Sequence, residues 1–247
     1  MHLPLMGIIS RAAGGAYSAS ASKFDGTNDY MLRGGDLTGN ADGKAGSAVF
    51  WVDMNGGDAA SQFVYHSTGG TFSILRLSSN TFRIRGENSV GTEILNITTT
   101  NTLTASDGWT CILVAWDLAS ASSGRLYFGD TDEYNETTYT NDTIDWTRTD
   151  NFALGAHLTG ADQMNGCLSE FYLTNEYLDL SIAANLQKFR TTGGQPEDPS
   201  SDGSTPTGTS PLIYLPNAFG TFQTNAGTGG NFTVTGALEA CASSPSD

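Results

Sequence analysis

The sequence predicts an all-β protein built in layers, a sandwich or a barrel, and three observations lead there. The chain has 247 residues with 30 Gly, 12 Phe and 9 Tyr but only 15% charged residues. Helix formers are thin, while Thr, Ser and Asn are plentiful, a balance that suits strands and turns. Short alternating runs recur at close spacing, each closed by Gly, Ser or Asn, as sandwiches and barrels require. Finally, DGWTCILVAWDLASASSGRLYFGD (Asp107–Asp130) reads as a β-hairpin. Its dense runs Trp109–Leu118 and Arg125–Phe128 flank the Ser-rich link Ala119–Gly124. Trp109, Cys111, Leu113 and Ala115 point one way and Ile112, Val114 and Trp116 the other. A strand apolar on both faces must be covered on both, so this hairpin belongs inside the structure and not at its edge.

In chain order, residues 1–22 form an apolar start followed by a Gly/Ala/Ser-rich segment. Such an arm has too little bulk for a core. It is either a frayed terminus or an arm that docks Leu3, Leu5, Ile8 and Ile9 onto a neighbouring subunit. The first Arg follows the apolar run instead of preceding it, the reverse of a secretory signal. From Lys23 the character changes. Phe24 precedes a D-G turn, Tyr30 and Leu32 alternate after it, and Ala48, Phe50, Val52 and Met54 mark one face of the next strand. Gln62–His66, Phe72–Leu77, Thr81–Arg85 and Thr92–Thr98 are four further strands. Thr131–Asp150 is polar, acidic and without periodicity, long for a connection and therefore a candidate functional loop. Phe152–Gly155 is again a strand. In the strand from Met164, Leu168 is out of phase with Phe171 and Leu173, which one extra residue would create, so a β-bulge is expected near Ser169–Glu170. Ser181 reads as an N-cap with Ile182, Leu186 and Phe189 at helical spacing, giving one helix of two or three turns near 181–190. Thr191–Pro211 has the composition of a linker. Leu212–Leu215 and Phe232–Thr235 are too short for a second core and are expected to return to the first.

The formal charge of −15 gives no electrostatic footprint for nucleic acid or an anionic bilayer. No apolar run approaches the roughly 20 residues of a spanning helix, so neither nucleic acid nor membrane is an expected partner. Cys111, Cys167 and Cys241 are odd in number and lack metal spacing. Buried free thiols are expected over a disulfide, consistent with folding in a reducing cytoplasm.

Four landmarks in order resemble the laminin-G-like branch of the concanavalin A-like lectin/glucanase superfamily: FDGTNDYM (Phe24–Met31), AVFWVDM (Ala48–Met54), the hairpin LVAWDLASASSGRLYFGD, and GA…MNGCLSEFYLTNEYL within Phe152–Leu178. The resemblance covers about Lys23–Ser181. It implies a two-sheet antiparallel jelly-roll sandwich. DLSIAANLQKF (Asp179–Phe189), Gln195–Asn217 and NAGTGGNFTVTGAL (Asn225–Leu238) are similar to a narrower group, the laminin-G-like proteins of tailed bacteriophages and prophages. That similarity implies that 191–211 is an ordered connection and that 212–240 complete the same sandwich, making residues 23–247 one unit. It also implies a virion structural protein, assembled in the bacterial host cytoplasm and displayed on the virion surface. Its arm would bind other virion proteins, and a closed homo-oligomer, a trimer by preference, suits such a particle. The apolar residues Ile112, Val114 and Trp116 would suit a subunit contact, and a third layer or loop would serve as well.

Chemistry is not expected. The superfamily's endoglucanases need paired carboxylates on one strand, and E-x-D-x-E is absent. Glu170 is the only carboxylate in the matching strand, and Asp132, Glu133 and Glu136 read as a solvated loop. His2, His66 and His157 lie in unremarkable contexts without a G-x-S-x-G motif. Calcium at the rim is what the resemblance adds. Asp53, Asn55 and Asp58, or Asp25, Asn28 and Asp29, carry the hard oxygen donors it needs, although such clusters also make ordinary turns. A lectin-like alternative, an adhesin binding host-surface glycan, would use Tyr134, Tyr139 and Trp146 as a platform with Asn135, Asn141 and Asp142 as polar partners. The same rings could instead cap the sandwich edge.

Overall fold

The computed structural model describes residues 17–120, 123–133, 135–147 and 151–247. The strands in chain order are β1 (Ala21–Asp25), β2 (Tyr30–Gly34), β3 (Ala45–Met54), β4 (Gln62–Ser67), β5 (Phe72–Arg76) and β6 (Phe82–Glu87). Then come β7 (Glu93–Thr98), β8 (Thr110–Asp117), β9 (Arg125–Phe128), β10 (Thr131–Asp132), β11 (Glu136–Tyr139) and β12 (Asn151–Leu154). The last are β13 (Asn165–Thr174), β14 (Ile213–Leu215), β15 (Thr233–Thr235) and β16 (Glu239–Ala240). They form two antiparallel sheets. The first runs β10-β9-β8-β3-β13-β1-β16, with β14 also paired to β13; the second runs β11-β7-β6-β5-β4-β12-β2-β15.

The sheets pack face to face over one large apolar cluster. Phe50, Val52, Ile112, Val114, Trp116, Leu168 and Phe171 come from the first sheet, and Tyr65, Phe72, Ile74, Phe82 and Ile84 from the second. Alternation along each strand creates this core, since every second side chain points inward. Trp116 stacks on Phe72 with ring centroids 5.2 Å apart. It lies so close to β3 that a Cβ on Gly46 would meet its ring at 2.2 Å, so glycine is required there.

The expected bulge is present. Ser169 pairs with Trp51 and Tyr172 with Val49, leaving Glu170 and Phe171 opposite Phe50 alone. Glu170 has φ +51°, a conformation uncommon outside Gly, Asn and Asp. The extra residue lets both Leu168 and Phe171 face the core. It also divides one edge of β13, so that β1 pairs before it and β14 after it.

Several expectations are corrected. Ile112, Val114 and Trp116 are fully buried between the sheets, so they offer no subunit contact. Cys167 and Cys241 form a disulfide, and only Cys111 is a free, buried thiol. The edge strand β16 brings Cys241 to β13 across a sequence separation of 74 residues, a juxtaposition that spacing alone does not reveal. The helix α1 is a single turn, Ala183–Leu186, capped by Ile182 with extended backbone. Ser181 is not its N-cap, because its hydroxyl and its N–H both donate to Asp179. Leu3, Leu5, Ile8 and Ile9 lie outside the described residues. Among the described residues no helix is long and apolar enough to cross a membrane.

Candidate functional site: a cleft on the outer face of the first sheet

The outer face of the first sheet carries a second, smaller apolar cluster. Val49, Trp51, Cys111, Leu113, Ala115, Tyr172 and Tyr214 project from its strands, and Leu178, Leu180 and Phe189 cover them from the segment after β13. Ser47 fastens that segment, donating to the carbonyl of Glu176 and accepting the N–H of Leu178 at 2.9 and 3.0 Å. The cover stops at Arg190. Beyond it, where Trp51 lies opposite Cys111, the face opens into a cleft of about 400 Å³, within the range of small-ligand sites.

Trp51 and Cys111 line this cleft together with Asn101, Trp109, Thr110, Asp130, Thr131 and Arg190. Each wall is held by a specific bond. Gly129, at φ +57°, makes the β9–β10 turn, and its N–H donates to the Cys111 carbonyl at 2.8 Å. The Asn101 loop is clamped by Glu133, whose carboxylate accepts the backbone N–H groups of Thr100 and Asn101. Trp109 donates its indole N–H to Ser243 at 3.1 Å, two residues beyond the disulfide, so the C-terminal segment orients one wall. Arg190 is 9% exposed and pairs through one terminal nitrogen with Asp130, whose side chain is 78% exposed. Its buried Nε has no hydrogen-bond partner.

A polar cluster lies where β1 gives way to β14. The Glu170 carboxylate accepts from the hydroxyls of Tyr17 at 2.8 Å and Tyr214 at 2.7 Å. Burial pushes the Glu170 carboxyl up to about 7, against the lowering effect of those two hydrogen bonds. Across the molecule, burial and the neighbouring His157 and Arg85 hold His66 down to about 4.

The sequence-derived site residues do not converge on one place. Trp146 is 2% exposed and stacks within the core beside Phe72, centroids 4.7 Å apart, so it is no platform. The half-buried Tyr139 spends its hydroxyl on the N–H of Asp117 and on Ser123. Asn141 accepts from Lys44, and Asp142 accepts from Asn88. Asn135 is exposed at the edge strand, and Tyr134 lies outside the described residues. Of the acidic loop, Asp132 is exposed as expected, but Glu133 is not solvated, being buried as the clamp just described.

The calcium sets do not fit a shared cation. Asp58 already accepts from the Arg76 guanidinium at 2.5 Å and from the N–H of Ala105. The Asn55 amide donates towards Cys167, and burial raises the Asp53 carboxyl. Asp25 accepts three backbone N–H groups, from Thr27, Asn28 and Asp29, the signature of an ordinary Asx-type turn. Asp29 caps Ala237. Among the described residues no three His, Cys, Asp or Glu side chains gather as a metal site.

A family model for the concanavalin A-like lectin/glucanases superfamily matches residues 25–181. The chain belongs to this superfamily. Its fold is similar to that of a provisionally assigned carbohydrate-binding protein from Bacteroides ovatus, with 12% identity and a TM-score of 0.63. That match covers 92% of this chain but 62% of the other, so the chain spans under two thirds of that protein. The receptor binding domain of botulinum neurotoxin D is also similar, at 12% identity and a TM-score of 0.51, over 72% of this chain and 46% of that one. At such identities the likeness is one of fold. No curated protein sequence matches the chain. The concanavalin A-like sandwich expected from FDGTNDYM and the later motifs is thus the fold the molecule has.

Proposed function

We infer that the protein is a non-catalytic structural protein of a tailed-bacteriophage virion, a surface or decoration-type subunit attached through its N-terminal arm. The arm ends before Tyr17 and not at residue 22, because Tyr17, Ala19 and β1 from Ala21 are built into the sandwich. One observation carries this reading. The tracts that resemble phage laminin-G-like proteins are built into the sandwich, where β14 joins the first sheet and β15 the second. The two ends of the described chain also meet, the N–H of Ala19 donating to Ser246 at 2.9 Å. A module held at that corner leaves the rest of its surface free for display. Assembly in the host cytoplasm would proceed with Cys167 and Cys241 reduced, and their bond would close after release into oxidising surroundings. The absence of catalysis is supported by the commitment of Glu170 to two tyrosines and of Glu133 to two backbone N–H groups, which leaves neither to serve a glycosidase pair. Mass spectrometry of gradient-purified particles from the source culture tests the assignment. Many copies per particle fit decoration, a few fit a tail or fibre position, and absence from particles overturns it.

A second reading, a lectin-like adhesin for host-surface glycan, is favoured by the open cleft. Trp109 offers aromatic surface, and the largely buried Trp51 lines the cleft with it beside Asn101, Thr131, Asp130 and Arg190, the mixture of apolar wall and few polar groups that small-ligand sites use. Retention on immobilised saccharide that is lost in Trp109→Ala would support it. Retention that Trp109→Ala leaves unchanged would place recognition elsewhere.

A further inference from the structure

Among the described residues Arg190 is the one cation lining the cleft, and it is incompletely matched. A guanidinium carries five N–H donors in a planar fork, and a buried donor left without an acceptor is destabilising. Here Nε is buried and unpartnered, while a terminal nitrogen is paired with Asp130, a largely solvated carboxylate. With its carboxylate largely in water, that pairing is readily exchanged for another acceptor on the Arg190 side. The same ion pair stands between two hollows. On its far side lies a second space of about 240 Å³, bordered by Ala183, Leu186 and Thr191.

We propose that the cleft binds an acidic saccharide, whose carboxylate accepts hydrogen bonds from the Arg190 guanidinium while its ring lies against Trp109 above Trp51. The inference rests on the lectin-like reading and names its ligand class. A carboxylate matches the guanidinium fork with two parallel hydrogen bonds, which a neutral sugar hydroxyl does not. In binding it satisfies Nε and displaces Asp130, which swings into solvent and joins the two hollows. The formal charge of −15 repels such a ligand at long range. That repulsion is screened by salt, whereas the pairing in the cleft is screened much less, so binding persists at physiological ionic strength.

The test is calorimetric titration of the full chain with an oligogalacturonate and with its neutral methyl ester. The acid is expected to bind at least about tenfold more tightly, equivalent to ~1.4 kcal/mol. Arg190→Gln is expected to erase that preference. Because Arg190 is buried, the solvent-exposed partner gives an independent variant. Asp130→Asn removes the competing carboxylate and is expected to tighten the acid by roughly threefold or more, in line with exposed-pair energies. Equal binding of acid and ester overturns the acidic-ligand inference and leaves glycan recognition standing. Weaker acid binding in Asp130→Asn also overturns it. Binding of neither saccharide overturns the inference, and a glycan array then decides whether the lectin-like reading falls with it.

Discussion

Strand β8 sends Ile112, Val114 and Trp116 to the inner face of the first sheet and Cys111, Leu113 and Ala115 to the outer, and the two faces are finished differently. The inner face meets a whole second sheet, so large rings interdigitate and Gly46 must yield its side chain to Trp116. The outer face meets no second sheet among the described residues: the segment carrying α1 covers part of it as far as Arg190, and Gly203 and Ala226 pack near Tyr214. Where a complete layer covers a strand, packing is the outcome. Where the cover ends, Trp51 and Trp109 line a cleft. The two faces belong to the same strands, so the proposed binding surface comes from incomplete cover and not from a separate element.

The largest break in this comparison should come from the inner face. Trp116→Ala is expected to cost about 3–5 kcal/mol, as buried aromatic truncations do, read as a lowered midpoint in chemical denaturation. Gly46→Ala attacks the same contact from the other side and should cost about 1–3 kcal/mol by overpacking. On the outer edge, Cys241→Ser removes the tether of the C-terminal segment. Its expected cost is about 2–4 kcal/mol, and the Trp109 wall should loosen with it, seen as faster hydrogen exchange of that indole.

A pH titration sharpens the comparison further. Burial raises the folded Glu170 carboxyl from 4.5 to about 7, so the folded state holds that proton more tightly than the unfolded chain. Its stabilisation is complete below about pH 4.5 and is lost as pH rises through about 7. The free energy of unfolding should therefore fall between about pH 5 and pH 8 by an amount on the order of 1–3 kcal/mol, read as a declining denaturation midpoint, and Glu170→Gln should flatten that decline. The smallest effect is expected from Trp109→Ala. Partly buried against the outer cluster, it should cost about 1 kcal/mol of stability while abolishing saccharide binding.

How legible the molecule is in its sequence follows the same division. Alternation in β3 and β8, the phase break between Leu168 and Phe171, and the turn residues between strands all act locally. Hence the sandwich, its inner core and the bulge at Glu170 can be read directly. Trp146 was legible as an aromatic but not as a core residue, because its loop has no period to show which way it faces. The cleft draws on Asn101, Asp130 and Arg190, residues from three loops brought together only by the fold. Glu133 seemed a loop carboxylate because its partners are backbone N–H groups more than thirty residues away. Cys167 and Cys241 meet because β16 returns to the edge of β1, and no spacing rule encodes that return.

The four tryptophans divide evenly between the two faces, which gives the most direct measurement. Indole N–H resonances of the intact protein would be recorded while oligogalacturonate is added. The account predicts that the signals of Trp51 and Trp109 shift and saturate together, while those of Trp116 and Trp146 stay in place. Shifts confined to Trp116 and Trp146, or no shift at saturating saccharide, would contradict the assignment of the outer face as the binding surface.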